Sequence, residues 1–167
     1  MIDYLIVGSG FAGAVTAIHM ISGGVSPKNI TIVGPTKVGY GNAYGCNHAE
    51  FRLNVSSEIM WINPKKKFEF TKWAEQNVKD PEASHTSGSF YKRSDFAKFV
   101  YSKLKKYLVN GQLSHERRIV TRIYKKGEDR WGIILDNKQK LISKNVILTT
   151  GNPEPKWPCL IEKKLYS

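Results

Sequence analysis

Gly8, Gly10 and Gly13 stand as G-x-G-x-x-G, a spacing that suits a cradle for phosphate. A helix opens with unpaired backbone N–H groups and the positive end of its dipole, and phosphate oxygens satisfy both. A side chain at Gly10 would obstruct a pyrophosphate, and one at Gly13 would push the helix off its strand. Gly8 permits the turn between them.

Such glycines carry weight only between a strand and a helix. Tyr4, Leu5, Ile6 and Val7 precede them as an apolar run suited to a buried parallel strand. Phe11, Ala14, Val15, Ile18 and Ile21 follow at steps of three and four, which lines one helix face. The spacing predicts a strand over 2–7, a helix over about 10–22 ended by Gly23-Gly24, and a second buried strand over 29–33, NITIV. This βαβ unit has the length of a dinucleotide-binding half, and the flanks favour a phosphate cradle over a bare turn.

The end of the second strand departs from that pattern. An acidic residue usually grips the adenosine ribose there, whereas this chain has Gly34-Pro35-Thr36-Lys37. Backbone groups or Thr36 could replace the acid, or Lys37 could favour a phosphorylated ribose.

Residues 35–64 are rich in Gly, Asn, Ser and Pro and lack helical periodicity; a loop of that length is usually functional, and this one is expected to line the cofactor. A helix is expected over 68–78, with Phe70, Trp73 and Ala74 on one side, then an exposed linker over 80–89. Residues 93–108 form an amphipathic helix whose apolar face holds Phe96, Phe99, Val100, Leu104, Tyr107 and Leu108, with Ser94 as its expected N-cap. ERRIVTRIYKK, RWGIILDN and QKLISK read as three short antiparallel strands, a meander inserted over 114–143 with turns at Gly127-Glu128 and Asp136-Asn137. NVILTTG, 145–151, reads as a further buried strand, after which Pro153, Pro155 and Pro158 stop regular structure. The fold class is α/β: a Rossmann-like domain over 1–167 with a central parallel sheet, helices on its faces and a small β-meander.

Bulk properties limit the alternatives. The 167 residues are 41% hydrophobic and 24% charged, ordinary for a globular domain with its own core. No apolar run approaches the ~20 residues of a membrane helix, and no basic leader precedes an apolar core. A cytoplasmic setting is expected, with no membrane partner. Cys46 and Cys159 match no metal spacing and read as isolated thiols in a reducing compartment. The net charge of +12 gathers in short clusters such as Lys65-Lys66-Lys67 and Arg117-Arg118. It reads as a solvated lysine-rich surface rather than a nucleic-acid face, for no nucleic-acid fold signature accompanies it. His19, His48, His85 and His115 have no ligand spacing, so no metal is expected. There is no G-x-S-x-G elbow, GPTKVGYG lacks Walker spacing, and no catalytic acid or base is assigned.

Five separated blocks agree with one family: IVGSGFAGAVTA, GYGNAYG, FRLNVSSEIM, FYKRSDFAKFV and NVILTTGNPEP. The chain resembles the two-dinucleotide-binding flavoproteins, most closely their bacterial FAD/NAD(P)-binding group. It is similar in turn to N-hydroxylating flavin monooxygenases. The resemblance covers nearly the whole chain and implies FAD as cofactor, with NAD(P)H as its reductant.

The resemblance implies that Gly8, Gly10 and Gly13, with Phe11 and Ala12 between them, hold the FAD pyrophosphate. Leu53, Asn54, Val55 and Met60 would line the flavin or ribityl region, although Leu53, Val55 and Met60 read equally well as core. Asn54 both donates and accepts hydrogen bonds. Arg93 would bind phosphate or polarise the flavin's pyrimidine edge; a purely structural arginine is disfavoured at a helix start. Val120 would meet adenine through its backbone, and Thr149, Thr150 and Gly151 would pass near the cofactor.

Family members continue into an NAD(P)H-binding region and a Gly-Asp segment that holds the ribityl phosphate. The resemblance therefore implies an N-terminal FAD-binding portion completed by a C-terminal half or a second subunit. Two functions follow: an FAD-dependent oxidoreductase or part of one, and a non-catalytic nucleotide-binding or scaffold subunit on the same fold. A basic nucleic-acid-binding protein is the third reading and the weakest.

Overall fold

The alternation of apolar residues along the first strand decides the layering. In a computed structural model, described over residues 1–45 and 50–152, β1 (Ile2–Val7) turns Tyr4 and Ile6 to one face of a sheet and Leu5 and Val7 to the other. Successive strand side chains point to opposite faces, so each face needs its own cover. The helices cover the first face and an antiparallel arm covers the second.

Helix α1 (Phe11–Ser22) follows β1 and buries Gly13, Ala14 and Ala17, small residues that let it lie close to the sheet. Strand β2 (Ile30–Val33) is buried throughout and pairs parallel with β1, Tyr4 against Ile30 and Val7 against Val33. The 35–64 stretch contains a single-turn helix α2 (Gly41–Tyr44) and a 3₁₀ turn over Ser57–Ile59. Helix α3 (Glu69–Asn77) buries Phe70 and Ala74.

The 80–89 stretch, expected as a plain linker, forms a 3₁₀ turn and a two-stranded hairpin, β3 (Ser84–His85) and β4 (Gly88–Ser89). It is mostly exposed, with Ala83 buried. Helix α4 (Arg93–Val109) carries the apolar face predicted for it, and Phe96, Phe99, Val100 and Leu104 are buried. Its N-cap is Lys92 rather than Ser94, without a side-chain cap, and Ser94 is a buried residue of the first turn.

The helix-side core centres on aromatic rings. Phe70 meets Phe96 edge-on at 4.9 Å between centroids and packs against Phe99 at 5.3 Å. Each ring so buried contributes roughly 1.5–3 kcal/mol of transfer free energy.

The second half differs from the expected three-strand meander. The 114–126 stretch divides: β5 (Ser114–Glu116) adds parallel to β2 as an edge strand, and β6 (Val120–Lys125) begins after a turn. Strand β7 (Trp131–Leu135) pairs antiparallel with β6. QKLISK and NVIL merge into one nine-residue strand, β8 (Lys140–Leu148). Its first half pairs with β7 and its second half with β1. Ser143 sits where the pairing changes, fully buried, its hydroxyl donating to Asn145 O at 2.8 Å and Ile2 O at 3.3 Å.

The sheet order is β5-β2-β1-β8-β7-β6, with β5, β2, β1 and β8 parallel. Ile133 and Leu135 of β7 pack with Leu5, Val7 and Val33 in the second core. Among the described residues no helix is long and apolar enough to cross a membrane. Cys46, His48, Cys159 and the three C-terminal prolines lie outside the described residues.

Candidate functional site

The β1–α1 turn is held by three hydrogen bonds. Gly8 N–H donates to Val33 O at 2.8 Å, and Thr149 donates to Val7 O through its N–H at 2.8 Å and its hydroxyl at 2.9 Å. The Thr149 hydroxyl also lies 3.2 Å from Gly8 O. The end of β8 thus clamps the end of β1, and Gly8 follows at φ +118°, a conformation that favours glycine. A Cβ on Gly8 would collide with the Thr149 carbonyl, and one on Gly13 would collide with Gly8 O. Both glycines are therefore needed for packing, whatever the turn binds.

Gly10 differs. It is the N-cap of α1 at φ −71°, open to any residue, and it supplies no side-chain cap. A Cβ there would have one neighbour within 4 Å among the described residues, Gly41 Cα at 3.5 Å. Its own C=O accepts from Ala14 N–H at 3.0 Å. No described residue accepts from the N–H groups of Gly10, Phe11 or Ala12, the orphan donors of a helix start.

Opposite Gly10 stands Gly41, at φ +54°, where a Cβ would come within 2.9 Å of Gly10 Cα. The 35–41 strand-to-helix loop is tied down by Gly39 N–H donating to Ser9 O at 2.8 Å and by a 2.9 Å Ser9–Thr36 hydroxyl pair. Two glycine loops therefore face each other across the open start of α1. The second belongs to the GYGNAYG block, inside the 35–64 loop expected to line the cofactor, although the sequence singled out no residue of the block; its glycine density was the available signal.

Gly34 has a reason of its own. A Cβ there would sit 2.5 Å from Ser9 Oγ and 2.7 Å from Ser9 Cβ. Ser9 is 2% exposed and cannot retreat. An acidic side chain at the end of β2 is excluded by this contact, so a gain in adenosine binding is not to be expected from glutamate at this position.

The remaining sequence candidates distribute as follows. Phe11 turns into an aromatic trio, 5.3 Å from Tyr44 and 5.5 Å from Phe96 between centroids, while Ala12 is exposed. Leu53 is core, Val55 is half-buried, and Met60 packs against the core cluster from its edge. Asn54 is exposed.

Arg93 is half-buried and stands one helical turn ahead of Phe96. Its Nε donates to Arg52 O at 3.3 Å, and among the described residues no carboxylate pairs with it. A short antiparallel bridge, in which Leu53 N–H donates to Tyr91 O and Arg93 N–H to Phe51 O, sets Arg93 opposite Phe51, while Asn54 lies beyond the other end of the bridge. Thr150 and Gly151 are exposed just past the clamp, Gly151 at φ +75° with no described residue within 4 Å of a Cβ placed there. Val120 lies on the opposite face, half-buried against the core that holds Val7 and Val33.

Sequence reasoning did not find the support beneath Arg93. Arg52 donates to Asp80 through both terminal nitrogens, at 2.8 and 3.1 Å, and to Glu82 at 3.0 Å. The hydrogen bond from Arg52 holds the Asp80 carboxyl below its ordinary range. This pairing anchors the 50–55 segment to the 80–90 hairpin. Among the described residues no group of three His, Cys, Asp or Glu side chains could hold a metal.

No curated protein matches the chain. Among solved structures it is similar to OTEMO in complex with FAD and NADP, at 16% identity and a TM-score of 0.62, over 98% of this chain and 28% of that one. It is similar to FqzB at 17% identity and a TM-score of 0.62, over 90% and 36% of the two chains. It is also similar to bacillithiol disulfide reductase Bdr (YpdA) from Staphylococcus aureus, at 16% identity and a TM-score of 0.61, over 90% and 38%. At such identities the likeness is one of fold, and the chain spans well under half the length of each. Residues 5–153 match the family model described as FAD-NAD(P)-binding, and the chain belongs to that family.

Proposed function

We propose that this chain is the FAD-binding portion of an FAD-dependent oxidoreductase whose flavin is reduced by NAD(P)H. The observation that carries the reading is the uncapped start of α1, with its donors at Gly10, Phe11 and Ala12 facing a second glycine loop at Gly41. That cradle fits a diphosphate: it offers N–H donors, a positive dipole end and no side chain in the way.

Gly8, Gly10, Phe11, Ala12 and Gly13 form the pyrophosphate turn in this reading, Phe11 and Ala12 through backbone N–H groups alone. Thr150 and Gly151 run alongside, beyond the Thr149 clamp. Arg93, paired with no carboxylate among the described residues, brings positive charge to the flavin side together with Asn54 and Met60. Val120 serves the adenine end through its backbone. FAD when bound supplies the redox chemistry, and this chain's residues hold and orient it. A C-terminal half or second subunit supplies the nicotinamide site, and the assembly works in the cytoplasm.

A second reading draws on the Ser9–Gly34 contact, which removes the usual acidic grip on the ribose. In it the chain is a non-catalytic nucleotide-binding subunit. One experiment separates the two. The chain is purified, incubated with FAD and desalted, and retained flavin is read from its absorbance. Flavin retention in the parent and its loss in Gly10→Val supports the first reading. Colourless parent protein whose melting temperature FAD does not raise rejects it in favour of the second.

A further inference from the structure

The turn that leads into α3 carries an aromatic residue at each end and three lysines between them. Trp61 and Phe68 are 39% and 49% exposed, and Pro64, Lys65, Lys66 and Lys67 are exposed in the interval. No acid stands between Trp61 and Phe68. The first one after them, Glu69, is paired with Lys103 Nζ at 2.7 Å. Lys65, Lys66 and Lys67 have no ion-pair partner among the described residues.

The turn is held in shape from beneath. Ile62 is buried, and its carbonyl lies 3.1 Å from His19 Nε2. Lys66 N–H donates to Asn63 O at 2.8 Å, and Lys65 N–H donates to the Asn63 side-chain oxygen at 2.9 Å. Phe68 stands at φ +61°, a conformation that glycine and asparagine adopt readily and an aromatic residue seldom does. Its carbonyl accepts from Lys72 N–H at 3.0 Å as α3 begins. Neither the backbone nor burial favours phenylalanine at this position. A residue kept under backbone strain with its ring in solvent points to a use for that ring.

Exposed rings beside cations suit a protein surface or a lipid surface, and the lysines decide between them. Protein–protein interfaces are depleted in lysine, and adjacent unpaired lysines are costly to bury against another domain. Tryptophan and phenylalanine next to lysines is the composition of segments that lie in a lipid headgroup layer. There the rings reach the acyl boundary and the ammonium groups remain among anionic headgroups. No helix among the described residues is apolar enough to cross a bilayer, and a loop seated at its surface requires none.

We propose that the 61–68 turn docks this chain on an anionic lipid surface, with Trp61 and Phe68 entering the headgroup–acyl boundary and Lys65, Lys66 and Lys67 meeting lipid phosphates. The proposal is independent of the flavin reading and goes beyond it. Three lysines beside such a surface contribute roughly a hundredfold in affinity, so the contact is peripheral and reversible.

The test mixes the full chain with vesicles of phosphatidylcholine alone and of an equal mixture with phosphatidylglycerol, and reads the bound fraction by sedimentation. Binding to the mixed vesicles should be stronger by about tenfold or more, and the triple variant Lys65→Gln/Lys66→Gln/Lys67→Gln should lose about as much. Removing as many cations from the β6–β7 turn, in Lys125→Gln/Lys126→Gln/Arg130→Gln, should leave binding nearly unchanged. Phe68→Gly relieves the backbone, so it should melt no lower than the parent yet bind several-fold more weakly. Brominated acyl chains should quench tryptophan fluorescence in the parent, and most of that quenching should be gone in Trp61→Phe. An equal loss in the two triple variants overturns the proposal, since bulk charge would then suffice. So does Phe68→Gly binding as tightly as the parent, or an absence of quenching, because no ring would then enter the bilayer. Binding to neither vesicle overturns it as well and leaves the turn to a protein partner.

Discussion

Ser9 and Gly34 share one small volume at the open end of the βαβ unit. A Cβ on Gly34 would lie 2.5 Å from Ser9 Oγ, and Ser9 is anchored by its 2.9 Å contact with Thr36 and by Gly39 N–H on its carbonyl. The atom nearest that Cβ is Ser9 N, so the backbone of the first turn, as well as the serine side chain, excludes an acid at the end of β2.

Gly34→Glu should destabilise the chain and leave adenosine binding no stronger. Overpacking of this kind costs about 1–3 kcal/mol, and the clash here involves backbone as well as side chain. A thermal melt showing an unchanged midpoint, or a gain in affinity for 5′-ADP, would contradict the packing described.

The glycines of the first motif should separate into two kinds. Gly13→Ala places a methyl group against Gly8 O, so it should lower the melting temperature clearly. Gly10→Val adds a Cβ whose one neighbour within 4 Å among the described residues is Gly41 Cα, at an ordinary contact distance, and its backbone suits any residue. It should melt near the parent while retaining no FAD. The two variants are compared by calorimetry and by flavin retention, and equal losses of stability would refute the division.

Thr149→Val should weaken the clamp between β8 and the first turn. It removes hydroxyl donation to Val7 O and Gly8 O while keeping the backbone bond to Val7 O. A loss of about 1 kcal/mol is expected in urea denaturation. Affinity for FAD should fall as well, because the same clamp positions Gly8. A variant as stable as the parent would mean that the backbone bond suffices.

The Arg52–Asp80 pair predicts a particular acid response. The hydrogen bond from Arg52 depresses the folded-state pKa of Asp80. Its contribution is present above the unfolded value, about 3.9, and is lost as pH falls through the lower folded value. Arg52→Met should cost roughly 1–3 kcal/mol at neutral pH, since it leaves a buried carboxylate without its main donor. Melts from pH 7 down to pH 2 should show the gap between parent and variant closing only at the acid end. A gap that is constant with pH would refute the pairing as its source.

Much of the framework was legible because it follows short-range periods. On α4 the period-3.6 pattern matches burial at Phe96, Phe99, Val100 and Leu104, and on α1 the predicted face packs against the core with Ala14 fully buried and Phe11, Val15, Ile18 and Ile21 partly so. The second half was less legible. Residues 114–116 have no pattern distinguishing an edge strand on β2 from the start of a meander. The partner that decides, Thr31 through Val33, lies about eighty positions earlier. QKLISK and NVIL looked like two strands because their outer partners differ, β7 for one and β1 for the other, and only the fold makes them continuous. Ser94 looked like a cap by type, but burial of the first turn of α4 gave the N-cap position to Lys92.

By itself the sequence determined the strand–turn–helix unit, the glycine spacing that opens α1 and the apolar faces that must be covered. These depend on backbone sterics and on periods of a few residues, which every local window carries. Tertiary structure alone decided that Gly41 faces Gly10, that Ser9 occupies the space of an acid at 34, and that Arg52 and Asp80 brace the segment bearing Arg93. Each of those depends on two backbones approaching within a few ångströms from distant points of the chain, and no local pattern encodes such a distance.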